Sequence, residues 1–506
     1  MLRTLSLLLS CVAVVVTANV VILLADDLGM EIELYGQSAC KTPHLMSLAN
    51  RGVVYDRAWT AVSSCSPSRA SILTGLPPHQ NGMYGLHQGY HNFQSFDNVR
   101  SLSKLLNDAD IRTGIIGKKH VGPESVYPFD CEQTEENNSI MQVGRNITLM
   151  KEMIGTFLAV NDSRPFLLYV GFHDPHRCGH THPEFGQFCE KFGNGKPGNG
   201  IIPDWTPVEY QSDQVHVPYF VQDTPIARDD LASQYTTISR LDQGVGLIMQ
   251  ELENAGFLNE TLVLFSSDNG APYPSGRTNV YEPGLQIPLI VSSPRHQHLW
   301  NTRSNDLATL LDITPTVLDW FNISYPTYKM FHNQNTVNLT GKSLLIDHSD
   351  KNATDPHHKY TYASHSLHEI TMYYPMRSVR NSRFKLIQNL GYRMPFPIDQ
   401  DFFISPVFQD ILNRTINGDE LPWYKTLEQY YYRPQWELFD LKIDFTEKNN
   451  MAGKQHYSRI FSAMKKKLYS WQEMTEDPWI CSPGGVLQDA GKYALNHKCC
   501  SMYNEL

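Results

Sequence analysis

Apolar runs that end in polar residues recur along the first part of the chain and predict buried strands. The first run covers 19–25 and ends at Asp26 and Asp27. A strand buried on both faces of a parallel sheet is continuously apolar rather than alternating. Similar runs cover 112–116, 166–172, 262–267 and 287–292, and helical patterns separate them at 101–109, 147–160, 229–255 and 306–320. The alternation predicts an α/β fold with a mostly parallel sheet, whose sites lie beyond the carboxyl ends of the strands.

The pattern changes near Thr371. Short strand-like segments at 376–379 and 384–389 are followed by loops rich in proline and aromatic residues, and then by a helical pattern at 458–471. A change of this kind indicates a second unit with its own core. We therefore expect an α/β domain over 19–370 and a smaller α+β domain over 371–506.

The amino terminus has the features of a secretory signal peptide. A basic Arg3, an apolar run and small residues precede Asn19, so we expect 1–18 to be removed. The alternative is a signal anchor that continues through Ala25. Thr17 and Asn19 interrupt that run, and a membrane span needs about 20 apolar residues, so we expect no membrane anchor.

Glycosylation sequons agree with passage through the secretory pathway. They lie at Asn137, Asn146, Asn161, Asn259, Asn322, Asn338, Asn352 and Asn413.

Several cysteines are expected to form disulfides in an oxidising compartment. Cys178 and Cys189 flank a short loop rich in His and Gly and are expected to pair. Cys481 can close a C-terminal loop with Cys499 or with Cys500, and the sequence leaves this open. The remaining two, Cys40 and Cys131, either pair or stay as buried thiols.

The formal net charge of -10 argues against nucleic acid or an acidic membrane as a partner. An anionic substrate would therefore need a local basic pocket.

The segment that begins at Cys65 carries the most specific signal. Cys65-Ser66-Pro67-Ser68-Arg69 continues as Ala-Ser-Ile-Leu-Thr-Gly to residue 75 and resembles the signature of the sulfatase family. The resemblance implies that Cys65 is oxidised to formylglycine and acts as the nucleophile. Independently, Pro67 suits the first turn of a helix, which leaves Cys65 at a helix N-terminus that favours anions. The alternative is a buried structural cysteine.

Four oxygen-bearing residues follow two of the predicted strands and can form a metal site. They are Asp26, Asp27, Asp268 and Asn269. A site made of oxygen ligands suits Ca²⁺ or Mg²⁺ rather than Zn²⁺. The sulfatase resemblance implies one Ca²⁺ per subunit, with the modified residue 65 as a further ligand. Each pair taken alone would be interpreted as a turn or capping pair.

Five basic side chains are predicted to form the pocket for a sulfate group. The resemblance assigns Arg69 and Lys118 to holding the hydrated formylglycine and His120 to accepting its proton. His176 would bind the substrate or protonate the leaving group. Arg277 stands in a region where many relatives have lysine, and its guanidinium can grip sulfate in bidentate fashion.

The resemblance also implies an overall organisation. It predicts the alkaline-phosphatase-like sulfatase fold, with the catalytic domain at 19–370 and an antiparallel sheet in the C-terminal domain. It further implies maturation by the formylglycine-generating enzyme, a homodimer and location in the lysosome.

Longer segments at 63–93, 114–124, 173–180 and 394–402 resemble one branch of the family. Its members remove the N-sulfate from the non-reducing terminal glucosamine of heparan sulfate. The alternatives are an O-sulfatase that acts on another glycosaminoglycan or sulfate ester and a non-catalytic secreted glycoprotein. A phosphatase or phosphodiesterase of the same superfold would need a Ser or Thr nucleophile.

Overall fold

The computed structural model describes residues 18–136, 142–179, 185–331, 335–345, 357–489, 493 and 498–502. Residues 1–17 of the predicted signal peptide and the sequon residues Asn137 and Asn352 lie outside these ranges. Asn146 is half-buried, whereas the side chains of the other sequons in the described ranges are exposed. In the part of the chain that the structure describes, no helix is both long and apolar enough to cross a membrane.

An eight-stranded sheet lies at the centre of the fold, in the order β5-β4-β6-β1-β7-β8-β2-β9. The strands of the structure are β1 (Asn19–Ala25), β2 (Val53–Tyr55), β3 (Ala58–Trp59), β4 (Arg112–Gly117), β5 (Cys131–Thr134), β6 (Phe166–Gly171), β7 (Thr261–Ser267), β8 (Leu289–Ser292), β9 (Thr302–Ser304), β10 (Ala308–Thr309), β11 (Thr361–His365), β12 (Met376–Arg380), β13 (Phe384–Asn389), β14 (Trp436–Asp440), β15 (Gly485–Gln488) and β16 (Lys498–Ser501). The pairs from β5 to β7 are parallel, and β8 runs antiparallel to both of its neighbours. The predicted mostly parallel sheet is confirmed.

Helices cover both faces of this sheet. They are α1 (Pro43–Ala49), α2 (Cys65–Thr74), α3 (Pro78–Asn81), α4 (Leu102–Asp108), α5 (Ile147–Leu158), α6 (Pro225–Asn254), α7 (Glu282–Leu285), α8 (Ile313–Trp320), α9 (Gln400–Phe403), α10 (Pro406–Asn417), α11 (Leu427–Tyr431) and α12 (Ser458–Met474). α1, α5, α6 and α10 contribute to the core on one face, and α2, α4 and α8 to the core on the other.

Burial on both faces explains the continuous apolar run of β1. Val21 and Leu23 belong to one core, whereas Val20 and Ile22 belong to the other, and none of the four is more than 2% exposed. Successive side chains of a strand point to opposite faces, so both sets must be apolar. The next residues, Asp26 and Asp27, emerge at the carboxyl edge of the sheet.

The C-terminal part forms a four-stranded antiparallel sheet in the order β11-β12-β13-β14. One face packs against α12 through Trp471 and Leu468, and the other meets aromatic residues of the larger part, including Trp59 and Tyr281. The predicted α+β character is confirmed. β11 precedes Thr371 in the chain, and the exact domain boundary stays a prediction.

The predicted helix over 306–320 is only partly formed. Ala308 and Thr309 pair in parallel with Ala58 and Trp59, and a capping box between Thr309 and Asp312 starts a short 3₁₀ turn before α8. This strand pairing with a distant segment overrides the local helical pattern, because propensity is a weak guide against tertiary contacts.

Disulfides join Cys178 to Cys189 and Cys481 to Cys499. Cys500, Cys40 and Cys131 are free thiols, of which Cys40 is fully buried.

Candidate active site

Functional side chains from four neighbouring strands meet at the carboxyl edge of the main sheet. Lys118 follows β4, His176 lies in the loop after β6, Asp26 follows β1 and Asp268 follows β7. These strands are adjacent in the order β4-β6-β1-β7. The parallel arrangement therefore brings together residues that are far apart in sequence, as expected for open α/β sheets.

Helix α2 points its N-terminus at this edge. It begins at Cys65, which is 1% exposed, and ends at Thr74, followed by Gly75, whose φ of 69° in the left-handed region terminates the helix. Ser64 occupies the N-cap position but makes no capping bond, because its Oγ lies 2.8 Å from His368 Nδ1. Pro67 has no N–H and the Ser68 N–H donates to the Ser64 carbonyl oxygen at 2.9 Å, so the backbone N–H groups of Cys65 and Ser66 are those that could face an anion beside residue 65.

Asp26 organises one side of the site. Its Oδ1 lies 3.4 Å from Cys65 Sγ and 3.6 Å from Arg69 Nη2, and its Oδ2 accepts a hydrogen bond from Lys118 Nζ at 2.5 Å. Arg69 also donates to Asp268 Oδ2 at 2.9 Å. The structure thus places the predicted nucleophile and two of the predicted cations around one carboxylate.

The residues around Asp26 and Cys65 determine the protonation states of these two side chains. Burial alone raises the pKa of Asp26, but Lys118, His176 and Arg69 together lower it well below its usual range. Burial raises the pKa of the Cys65 thiol well above its usual value, against the influence of Lys118. An unmodified Cys65 would therefore be a neutral thiol and a poor nucleophile.

Asp27 contacts a second set of groups. Its Oδ2 accepts a hydrogen bond from Arg277 Nη1 at 2.8 Å and lies 3.8 Å from His176 Nε2. Its Oδ1 accepts from Asn269 Nδ2 at 2.7 Å. The two successive aspartates therefore contact different partners, Cys65 and Lys118 at Asp26 and Arg277 at Asp27, and His176 lies near both.

The oxygen ligands predicted for a metal lie together and fit a hard cation. Asp26, Cys65 and Asp268 offer ligand atoms within 4.8 Å of one another. The buried Oδ1 of Asn269 has no hydrogen-bond partner among the described residues. Burial and neighbouring carboxylates raise the pKa of Asp27 to about 8 and that of Asp268 to about 6, despite the arginines that oppose these shifts. The neighbouring protein cations therefore do not fully stabilise the ionised carboxylates, and a bound divalent cation would do so.

His120 is a buried imidazole without a hydrogen-bond partner on either ring nitrogen within the described residues. Burial lowers its pKa well below the usual value, and Lys118 and Arg69 lower it further. The ring is therefore neutral and has a free lone pair, as a proton acceptor requires.

An ion-pair cluster that the sequence did not predict fixes the loop carrying His176. Asp174 binds Arg145 and accepts from Arg240 Nε at 2.7 Å, with all three side chains at most 1% exposed. Arg145 Nη2 also donates to the carbonyl oxygen of His176 at 2.8 Å. Burial lowers the pKa of His176 well below its usual value, so this histidine is neutral in the structure.

The second unpredicted group comes from the C-terminal part. Arg277 Nη2 donates to Asp399 Oδ2 at 3.0 Å and to Asp401 Oδ2 at 2.9 Å, within the 394–402 segment. Asp399 Oδ2 also lies 2.8 Å from His368 Nε2, which completes a chain from Asp399 to Ser64. Three carboxylates occupy the terminal nitrogens of Arg277, so a bidentate grip on sulfate would require it to exchange partners.

Comparison with known proteins agrees with this architecture. The family model described as Sulfatase matches residues 18–323, and the chain belongs to the sulfatase family. It is 56% identical to human N-sulphoglucosamine sulphohydrolase over 488 residues, which cover 96% of this chain and 95% of that protein.

More distant relatives share the fold. An ulvan-active sulfatase of Formosa agariphila is 25% identical, with 90% of this chain and 74% of that protein covered. A solved structure of a protein in complex with its substrate D-glucosamine-2-N,6-O-disulfate superposes with a TM-score of 0.62 at 19% identity, covering 91% of this chain and 98% of the other. The family model and the human relative confirm the predicted family membership.

Proposed function

We propose that this protein hydrolyses the N-sulfate group of non-reducing terminal N-sulfoglucosamine in heparan sulfate, giving a free amine and sulfate. Its 56% identity to the human sulphohydrolase of N-sulphoglucosamine over nearly the whole chain carries the assignment of substrate. The pocket around residue 65 supports the reaction type. It concentrates cations in a protein whose formal charge is -10.

Residue 65 is the proposed nucleophile, as the hydrate of formylglycine. One of its hydroxyls attacks sulfur, the S–N bond breaks, and its electron pair stays on nitrogen, which takes up a proton. The second hydroxyl then loses its proton and expels sulfate as the aldehyde re-forms. The neutral His120 accepts that proton, because its ring nitrogens are free of partners in the described structure. A plain Cys or Ser cannot carry out the second step.

The cations stabilise the charge on the sulfuryl oxygens. Lys118 and Arg69 contact Asp26, which lies beside residue 65, and Arg277 contacts Asp27. Asp26, Asp27, Asp268, Asn269 and the modified residue 65 would hold one Ca²⁺, which polarises the sulfuryl oxygens when bound. Each well-aimed donor is typically worth a factor of about 10² to 10³ in rate.

The cellular setting is part of the proposal. Sequons and disulfides support folding in the secretory pathway, where the formylglycine-generating enzyme would oxidise Cys65. We expect a homodimer that acts in the lysosome.

An assay of sulfate release from N-sulfoglucosamine tests the function. Glucosamine 6-O-sulfate is assayed in parallel, and a third series contains a chelator. We expect rapid release from the N-sulfate alone, lost with chelator and restored by Ca²⁺. Preferential release from the O-sulfate would favour the alternative O-sulfatase.

Peptide mapping tests the nucleophile, because formylglycine is about 18 Da lighter than cysteine. An active protein with an unmodified thiol at residue 65 would contradict the mechanism.

A further inference from the structure

Asp401 lies at the solvent-facing edge of the cluster around Arg277. Its Oδ2 accepts a hydrogen bond from Arg277 and lies 3.8 Å from His176 Nε2. The side chain is 14% exposed, whereas those of Arg277 and Asp399 are each 1% exposed. No donor of the described residues binds Oδ1 of Asp401. Asp401 can therefore offer a carboxylate oxygen to a ligand that lies beside His176.

Asp401 lies beside the histidine that is expected to contact the leaving group. His176 is expected to bind the substrate or to protonate the leaving group, and its Nε2 lies 3.8 Å from Asp401 Oδ2. A bridging atom of the substrate in contact with His176 would therefore lie close to Asp401 as well.

The bridging atom is what distinguishes a sulfamate from a sulfate ester. In a sulfamate the bridge is an N–H, which donates a hydrogen bond, whereas an ester oxygen can only accept. A carboxylate only accepts, and its bonds with donors are strong. Beside an ester oxygen the same carboxylate would face another acceptor, and leaving a buried polar group unpaired is costly.

We propose that Asp401 is the residue that selects nitrogen over oxygen at the scissile bond, by accepting a hydrogen bond from the sulfamate N–H. This inference rests on the proposed function and adds the residue that distinguishes nitrogen from oxygen at the bridging position of the substrate. After the S–N bond breaks, the same carboxylate faces the product amine, which is a cation once it has taken up a second proton. Burial and the nearby Asp399 raise the pKa of Asp401, whereas Arg277 lowers it and favours the ionised carboxylate that accepts the hydrogen bond.

The test uses two ligands that differ only at the bridge, N-sulfo-D-glucosamine and D-glucose 2-sulfate. The substitution Cys65→Ala prevents turnover. Calorimetry can therefore measure the dissociation constant of each ligand for two proteins, the Cys65→Ala variant and the double variant that also carries Asp401→Asn. We expect the single variant to prefer the sulfamate. The second substitution should reduce that preference about 10- to 100-fold, because the amide can donate to an ester oxygen. Asp401→Ser, which removes the carboxylate, should likewise reduce the preference.

Asp399→Asn is the matched control, because it alters the same arginine from a buried position that is 1% exposed. It should weaken both ligands by the same factor. Because the readout is a ratio on one protein, a loss of folded molecules cancels. An unchanged preference in both Asp401 variants would overturn the inference. If the enzyme with Cys65 intact and matured releases no sulfate from N-sulfo-D-glucosamine, the proposed function itself fails, which is a separate result.

Discussion

His79 is expected to make the stability of this protein fall as the pH approaches that of an acidic compartment. Its ring is 2% exposed and lies 2.8 Å from both Ser364 Oγ and Thr475 Oγ1. These contacts connect α3 to β11 and to the end of α12. Burial lowers the pKa of His79 from 6.5 to about 4. The folded protein thus holds a neutral histidine that the unfolded chain protonates below pH 6.5.

The sign and size of the effect follow from this depressed pKa. The stabilising contribution is fully present above about pH 6.5 and is lost as the pH falls toward 4. One pKa unit corresponds to about 1.36 kcal/mol, so between pH 7 and pH 5 His79 alone lowers the free energy of unfolding by about 2 kcal/mol.

Urea denaturation at pH 7 and pH 5 measures this contribution. His79→Gln cannot take up the proton, so the difference in unfolding free energy between the two pH values should shrink by about 2 kcal/mol. His456→Gln, at an exposed histidine, is the control and should leave the difference as in the unaltered protein. The reasoning is refuted if His79→Gln retains the full pH dependence.

Three further predictions concern the site and its support. Lys118→Met should lower kcat by about 10² to 10³-fold while the far-UV spectrum stays unchanged, because Lys118 stabilises charge beside residue 65. Asp174→Asn should lower the free energy of unfolding by about 3–5 kcal/mol in urea, since two buried arginines lose their counter-ion. Glu209→Gln, in an exposed pair, should cost at most about 1 kcal/mol. Trp471→Ala should cost about 3–5 kcal/mol by the same assay, because its ring stacks on Tyr362 in the core. Glu209→Gln is the control for Asp174→Asn, and unaltered values for Lys118→Met, Asp174→Asn or Trp471→Ala would refute the corresponding expectation.

The local hydrophobic pattern was sufficient to predict the central strands, because a strand that is buried on both faces has a continuous apolar sequence. β1 has the predicted bounds, 19–25, and β4 extends one residue past its predicted end. α6 starts at Pro225 rather than at 229, since Thr224 caps it and Pro225 suits the first turn. Strands such as β2 have only three residues and are held by pairing with distant segments, which no local period reveals.

Strand ends likewise predicted where the site would lie, because polar residues directly after buried strands must gather at one edge. The groups that support the site were not predictable in the same way. Asp399 contacts Arg277 across 122 positions and Ser64 reaches His368 across 304. From the local sequence, Asp174 would be interpreted as part of a turn before His176. Only the fold shows that Arg145 and Arg240 neutralise the charge of its carboxylate.

The chain of contacts from Asp399 through His368 to Ser64 has a consequence for genetic variation. It connects a loop near residue 400 to Ser64, the residue immediately before the proposed nucleophile. A missense change in that loop lies far from the signature in sequence, yet it would disturb the start of α2. Loss-of-function alleles are therefore expected to spread into the C-terminal part rather than cluster around the signature alone, and an amino-terminal fragment that retains the whole signature should be inactive.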